Sequence, residues 1–141
     1  MVEIIAQLKD LAQRTHCIAA LDTVEFLRRS GRLTRFQSGL ASVLRIKPVL
    51  TMNAGEFGME RVRTRRGALQ RVIDLTRELG PLERLALVHT NAPAQAESLR
   101  QQAQALFPAS KKPLSAGVTP VIGTHIGPGT VGFVAIQAKD S

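Results

Sequence analysis

The 141-residue chain is 44% hydrophobic and 21% charged, the balance of an ordinary globular domain with a core of its own. No apolar run approaches the length of a membrane span, and the single cysteine, Cys17, excludes an internal disulfide and suits a cytoplasmic setting. The net charge of +8 is unevenly placed, because residues 28–77 hold 12 Lys/Arg against 3 Asp/Glu and the remainder 7 against 8. Such a basic segment attracts an anionic partner: nucleic acid, a membrane surface, a nucleotide or an acidic protein face. Arginine-rich composition also follows simply from a GC-rich genome.

Residues 2–14 place Ile4, Ile5, Leu8, Leu11 and Ala12 at helical spacing, and their acids and lack of a basic start are unlike a signal peptide. Residues 15–21 read as a short buried strand, with Cys17 as a structural thiol rather than a nucleophile. Asp22 or Thr23 can cap a helix over 24–29 that Ser30 and Gly31 stop. A loop over 32–35 and a short helix over 36–44 follow. Residues 48–52 and 56–62 predict a hairpin around the turn Asn53-Ala-Gly55. Thr64 can cap a helix to about Leu79, closed by Gly80-Pro81.

The apolar run 85–88 predicts a central strand covered on both faces. Pro93 opens a helix to about Leu106 and Pro108 ends it. Residues 111–118 read as a weaker strand. The stretch 119–130, Thr-Pro-Val-Ile-Gly-Thr-His-Ile-Gly-Pro-Gly-Thr, predicts a rigid glycine-rich loop presenting His125 and backbone N–H groups, and 131–136 predicts a buried strand. Alternating helices and strands define an α/β chain with an α+β tendency: a mixed or parallel sheet with helices on its faces, in one domain over 1–141.

His125 is the best-placed polar residue, able to meet a carboxylate or phosphate held against the loop. His89, at a strand end, and His16, at a helix–strand junction, read as structural. There is no His-Glu-x-x-His, cysteine pair or acidic cluster for a metal, and no Gly-x-Ser-x-Gly elbow for a nucleophile. The 123–129 glycines match neither the phosphate-loop nor the dinucleotide pattern. For nucleic acid the basic segment argues in favour. The absence of Trp and Tyr, with only five Phe, argues against, since stacking platforms are scarce. The run Arg61-Val-Arg-Thr-Arg-Arg66 is either a solvated surface or a contact for phosphate or an acidic partner.

Four stretches in order resemble one family. They are Leu21-Asp-Thr-Val-Glu-Phe-Leu-Arg-Arg-Ser-Gly-Arg-Leu33, Leu44-Arg-Ile-Lys-Pro-Val-Leu-Thr51, Glu60-Arg-Val-Arg-Thr-Arg-Arg-Gly-Ala68 and Pro120-Val-Ile-Gly-Thr-His-Ile-Gly-Pro-Gly129. Together they resemble the C-terminal domain of the DegV family of bacterial fatty-acid-binding proteins. The resemblance implies a non-catalytic carrier of one long-chain fatty acid, with no cofactor. In some members a fatty-acid kinase phosphorylates the bound acid to an acyl-phosphate for phospholipid synthesis. His125 would hold the carboxylate with Gly123 and Thr124 beside it, and Ile122 would line the tail. Leu40, Val43, Leu44, Ile46 and Val121 are further candidates for the wall. Arg32 and Arg61 or Arg63 would engage the kinase. Nothing matches the family's N-terminal domain, so the expectation is an excised or short member that self-associates through the face carrying His125. The alternative reading is a nucleic-acid or regulatory module using residues 28–77.

Overall fold

The computed structural model describes residues 2–32 and 46–139. The described elements are helix α1 (Val2–Arg14), strand β1 (Thr15–Ala20), helix α2 (Glu25–Arg29), strands β2 (Lys47–Asn53) and β3 (Glu56–Val62), helix α3 (Arg65–Glu78), strand β4 (Leu82–His89), helix α4 (Pro93–Gln102), strand β5 (Leu114–Gly117), helix α5 (Pro120–Ile126) and strand β6 (Val131–Gln137). The predicted helix over 36–44, with Leu40, Val43 and Leu44, lies outside the described residues.

The strands form one mixed sheet in the order β3-β2-β1-β6-β4-β5, antiparallel except for β4 with β5. The mixed α/β fold expected from the sequence is the one observed. Strand alternation sends Ile18, Ala20, Val49, Leu85, Leu87 and Phe133 to one face, where α3 and α4 bury them in the main core. Phe133 is fully buried and meets Phe107 edge-on, ring centroids 5.9 Å apart. The other face carries Ala19, Leu50 and Met59 beneath Leu27 of α2 and Ile126 of α5.

Local chemistry sets the element ends. The Thr64 hydroxyl accepts from the Gly67 N–H at 3.0 Å, capping α3 as its position predicts. Arg71 then grips Glu60 of β3 through two bonds of 2.7 and 2.9 Å and Glu78 through one of 2.8 Å, tying α3 to the hairpin. β1 and β6 approach so closely that a Cβ on Gly132 would stand 2.2 Å from the Ile18 carbonyl oxygen. α1 buries no residue. Arg14, at its last turn, pairs with Asp10 and Glu83, while Val2 (84% exposed), Ile4, Ile5 and Leu8 face water.

Four expectations are corrected. Residues 120–126 are a helix, not a loop: Pro120 stands at the start, where its missing N–H costs nothing, and the Gly123 N–H bonds the Thr119 carbonyl. β4 is not sealed on both faces, since Leu85 and Leu87 are buried but Ala86 and Val88 only half-buried. The last strand before α5 shrinks to Leu114–Gly117, and the helix from Pro93 stops at Gln102 ahead of a short 3-10 turn.

Replacing Gly132 with Ala forces β1 and β6 apart and lowers stability by about 1–3 kcal/mol in urea unfolding. Gly117→Ala, where a Cβ would meet nothing within 4 Å, serves as the control and changes it little.

Candidate functional site

In a half-exposed antiparallel hairpin the solvent face is ordinarily polar. Here β2 and β3 carry Leu50, Met52, Phe57 and Met59 on that face, in register with Cys17 and Ala19 of β1. α2 and α5, which meet at Phe26 and Gly127, together border this apolar floor. Against them lies a cavity of about 380 Å³, lined by Cys17, Ala19, Leu27, Leu50, Phe57 and Ile126 among others. Its polar contributors are Thr51, Arg32 and His125.

α5 places the imidazole by helical spacing. Ile122, His125 and Ile126 share one face of the helix, and all three line the cavity. His125 Nδ1 is buried with no hydrogen-bond partner among the described residues. Thr124 falls on another face, exposed, and its hydroxyl donates to the Val121 carbonyl at 2.7 Å. Gly123 packs over Thr90, whose methyl would lie 3.4 Å from a Cβ there. Ile122, which lines the cavity, is 52% exposed, and Val121 beside it is more exposed and outside the lining.

The cap of α5 is specific. Gly127 has φ +78°, and a Cβ on it would stand 2.3 Å from the Phe26 ring of α2. The Thr130 hydroxyl donates to the Ile126 and Gly127 carbonyls, and the Arg65 guanidinium donates to the Gly129 carbonyl at 2.6 Å.

The structure brings His125, Ile122 and Arg32 to one cavity. Arg61 shares the β3 face of Phe57 and Met59 by alternation, and Arg63 is exposed in the turn before α3. Ile46 is buried in the same apolar cluster beneath α2 and α5. Leu40 and Leu44 lie outside the described residues. Sequence reasoning missed Met52 and Phe57, whose signal was an apolar solvent face on a hairpin. Cys17, read as a buried structural thiol, is half-buried and lines the cavity, and burial pushes its pKa up. His16 bonds Gln137 Oε1 at 2.7 Å and His89 Nδ1 accepts from the Ala92 N–H at 3.3 Å, so both serve the fold. Among the described residues no His, Cys, Asp and Glu gather in a group suited to a metal ion, and no helix is long and apolar enough to cross a membrane.

An apolar cavity bordered by a histidine-bearing helix has the chemistry that suits a ligand with an apolar body and a polar end. Residues 1–138 match the family model of the DegV family, a family of uncharacterised proteins, and the chain belongs to that family. It is 34% identical over 135 residues to a DegV domain-containing protein of Listeria monocytogenes, covering 93% of this chain and 47% of that protein. It is 30% identical over 135 residues to protein DegV of Bacillus subtilis, covering 93% and 48%. The chain therefore spans about half the length of the curated relatives it matches.

Among solved structures it resembles the fatty-acid-binding DegV family protein of Streptococcus agalactiae at 26% identity and TM-score 0.83, over 99% of this chain and 50% of that one. A DegV family protein of Thermus thermophilus, described for fatty-acid binding, gives 27% identity and TM-score 0.83 over 98% and 51%. DegV of Bacillus subtilis, a fatty-acid-binding protein, gives 27% and TM-score 0.76 over 97% and 50%.

Cys17 reports on the cavity. A maleimide added at neutral pH reacts slowly with it, the rate climbs only above the ordinary thiol range, and oleate slows it further. Oleate leaving the rate unchanged places the acyl chain elsewhere.

Proposed function

We propose that the chain is a non-catalytic carrier that binds the tail of a long-chain fatty acid in the cavity beneath α5, with the carboxylate at His125. The observation that carries this reading is the apolar cavity with His125 in its lining. The solved relatives described as fatty-acid-binding support the ligand class. No cofactor is needed for such a role.

Magnitudes divide the work. At roughly 0.8 kcal/mol per buried CH₂, about fourteen methylenes gain on the order of 11 kcal/mol before ordering costs. A charge-assisted hydrogen bond to the head group adds about 1.5–3 kcal/mol. The tail sets affinity; His125 sets register and presentation. Gly123 and Thr124 act by shaping α5, and Ile122 guides the tail at the mouth.

The mouth is open, with Val121, Ile122, Met52 and Phe57 exposed around it. Contiguous apolar surface of this kind is covered by another body. In the reading proposed here the family's second domain supplies that cover and completes the carboxylate shell, and without it copies of the chain self-associate through this face. The carrier works in the cytoplasm and presents the carboxylate to a fatty-acid kinase, whose acyl-phosphate product feeds phospholipid synthesis. Arg32, Arg61 and Arg63 are the kinase-facing cations.

The nucleic-acid alternative is less favoured. Within the basic segment Arg28 and Arg29 both grip Glu25, lowering its pKa to about 2, and Lys47 pairs with Asp22, Arg71 with Glu60 and Arg77 with Asp74. Five of the segment's twelve cations are thus held by carboxylates of the chain itself.

Calorimetry with oleate and oleyl alcohol separates head from tail. The unmodified chain prefers oleate, and His125→Ala reduces that preference by about 1.5–3 kcal/mol while leaving alcohol binding nearly unchanged. An unaltered preference removes His125 from the carboxylate site. Arg61→Glu with Arg63→Glu lowers acyl-phosphate output by the cognate kinase at saturating fatty acid without changing oleate affinity. Parallel loss of both activities, with the fold intact, assigns these arginines to the lipid site instead.

A further inference from the structure

A second apolar trough lies on the other half of the same sheet face. β5 pairs only with residues 86–89 of β4, so the first half of β4 extends beyond it. There the register sets Arg84 opposite Ile136, and Ala86 between Val134 of β6 and Leu114 of β5. The turn from Phe107 to Pro113 closes the outer side, leaving a cavity of about 290 Å³ that shares no lining residue with the one beneath α5.

Two features of this trough are unusual together. Its floor is apolar and wet: Val134 and Ile136 are only half-buried and Leu114 is 60% exposed. Its rim carries three exposed cations, Arg84, Lys111 and Lys112, and no acid. None of the three forms an ion pair among the described residues, whereas Arg14, Arg28, Arg29, Arg71, Arg77 and Arg100 each hold a carboxylate. Water-exposed aliphatic carbon beside uncommitted positive charge is complementary to one chemistry, an alkyl chain that ends in an anion. The chain lies on Ala86, Val134 and Ile136, and the anion meets the guanidinium and the two ammonium groups.

We propose that this trough is a second binding site, separate from the cavity beneath α5, for a free amphiphilic anion such as an alkyl carboxylate. The occupant is a monomeric amphiphile rather than a bilayer surface, because the cations surround a concave trough of limited volume rather than a flat basic face. The site is smaller than the first, about 290 against 380 Å³, and holds its ligand more weakly, with a stronger dependence on salt.

The test is an amide-NMR titration of the full chain with decanoate below its micellar concentration. The expected result is a saturable set of shifts at Ala86, Leu114 and Val134, resolved from those at Cys17, Leu50 and Ile126. The triple substitution Arg84→Glu, Lys111→Glu, Lys112→Glu weakens the first set at least tenfold, leaves the second set unchanged and preserves the remaining spectrum. Decanol shifts the first set much less than decanoate does. Any of three results overturns the proposal: no shifts in the trough, shifts of equal affinity in the triple variant, or equal response to decanol. A fourth does so in favour of a membrane surface: sedimentation with phosphatidylglycerol vesicles that needs the three cations while free decanoate leaves the trough unmoved. Shifts in the trough without shifts around Cys17 sink the carrier reading of the α5 cavity and leave this proposal standing.

Discussion

The cavity exists because α5 can be pressed against α2, and that contact depends on a side chain that is missing. At residue 127 the chain turns out of α5 with φ +78°, and the Phe26 ring occupies the space where a Cβ would sit. Any larger residue there would clash with the ring and strain the turn together. The following residues lock the geometry: the Gly129 N–H bonds the Thr90 carbonyl, Thr130 bonds back to Ile126 and Gly127, and Arg65 reaches across from α3 to the Gly129 carbonyl. Arg65 pays for this partly buried post with a pKa lowered by desolvation, offset by Asp22. The imidazole of His125 is therefore positioned by a network that spans α2, α3 and the end of β4.

The same network explains what the sequence revealed and what it hid. Strands β1, β2, β3 and β6, the Thr64 cap and the turn at residues 53–55 were legible because they rest on local pattern and turn chemistry. α5 was not. Its stretch holds Pro120, Gly123, Gly127 and Gly129, residues that locally signal a loop, and the helix stands because Pro occupies the first turn and tertiary contacts hold the rest. His125 lines the cavity from a helix, not from the loop that its sequence context suggests. The floor of the cavity was hidden differently. Met52 and Phe57 look like ordinary strand residues until the structure shows both of them 41–52% exposed, with no core helix among the described elements packed over them.

Charge shows the limit of counting along a chain. The basic segment begins at Arg28, a boundary that leaves Glu25 and Asp22 just outside, yet these two acids hold Arg28, Arg29 and Lys47. Pairs at three and four residues on a helix, and one pair across 25 residues, offset part of the basic field, although residues 22–77 still hold 12 Lys/Arg against 5 Asp/Glu. The uncommitted cations at Arg84, Lys111 and Lys112 sit outside the segment that looked most basic.

Among the described residues, the side-chain bonds that join α1 to the body cluster at its root. Arg14 reaches Asp10, Glu83 and the Gln137 carbonyl, the Thr15 hydroxyl bonds the Leu11 carbonyl, and Asn53 bonds the Gln13 carbonyl. All of these act within the last turn. A short helix standing free in water is marginal, because its nucleation cost is repaid only by packing. The first two turns, with their aliphatic stripe of Val2, Ile4, Ile5 and Leu8, therefore lie outside the cooperative unit that the sheet defines. α1 is a cantilever: opening begins at its tip and stops at Arg14, and its helicity is set by what touches it rather than by the domain to which it is attached.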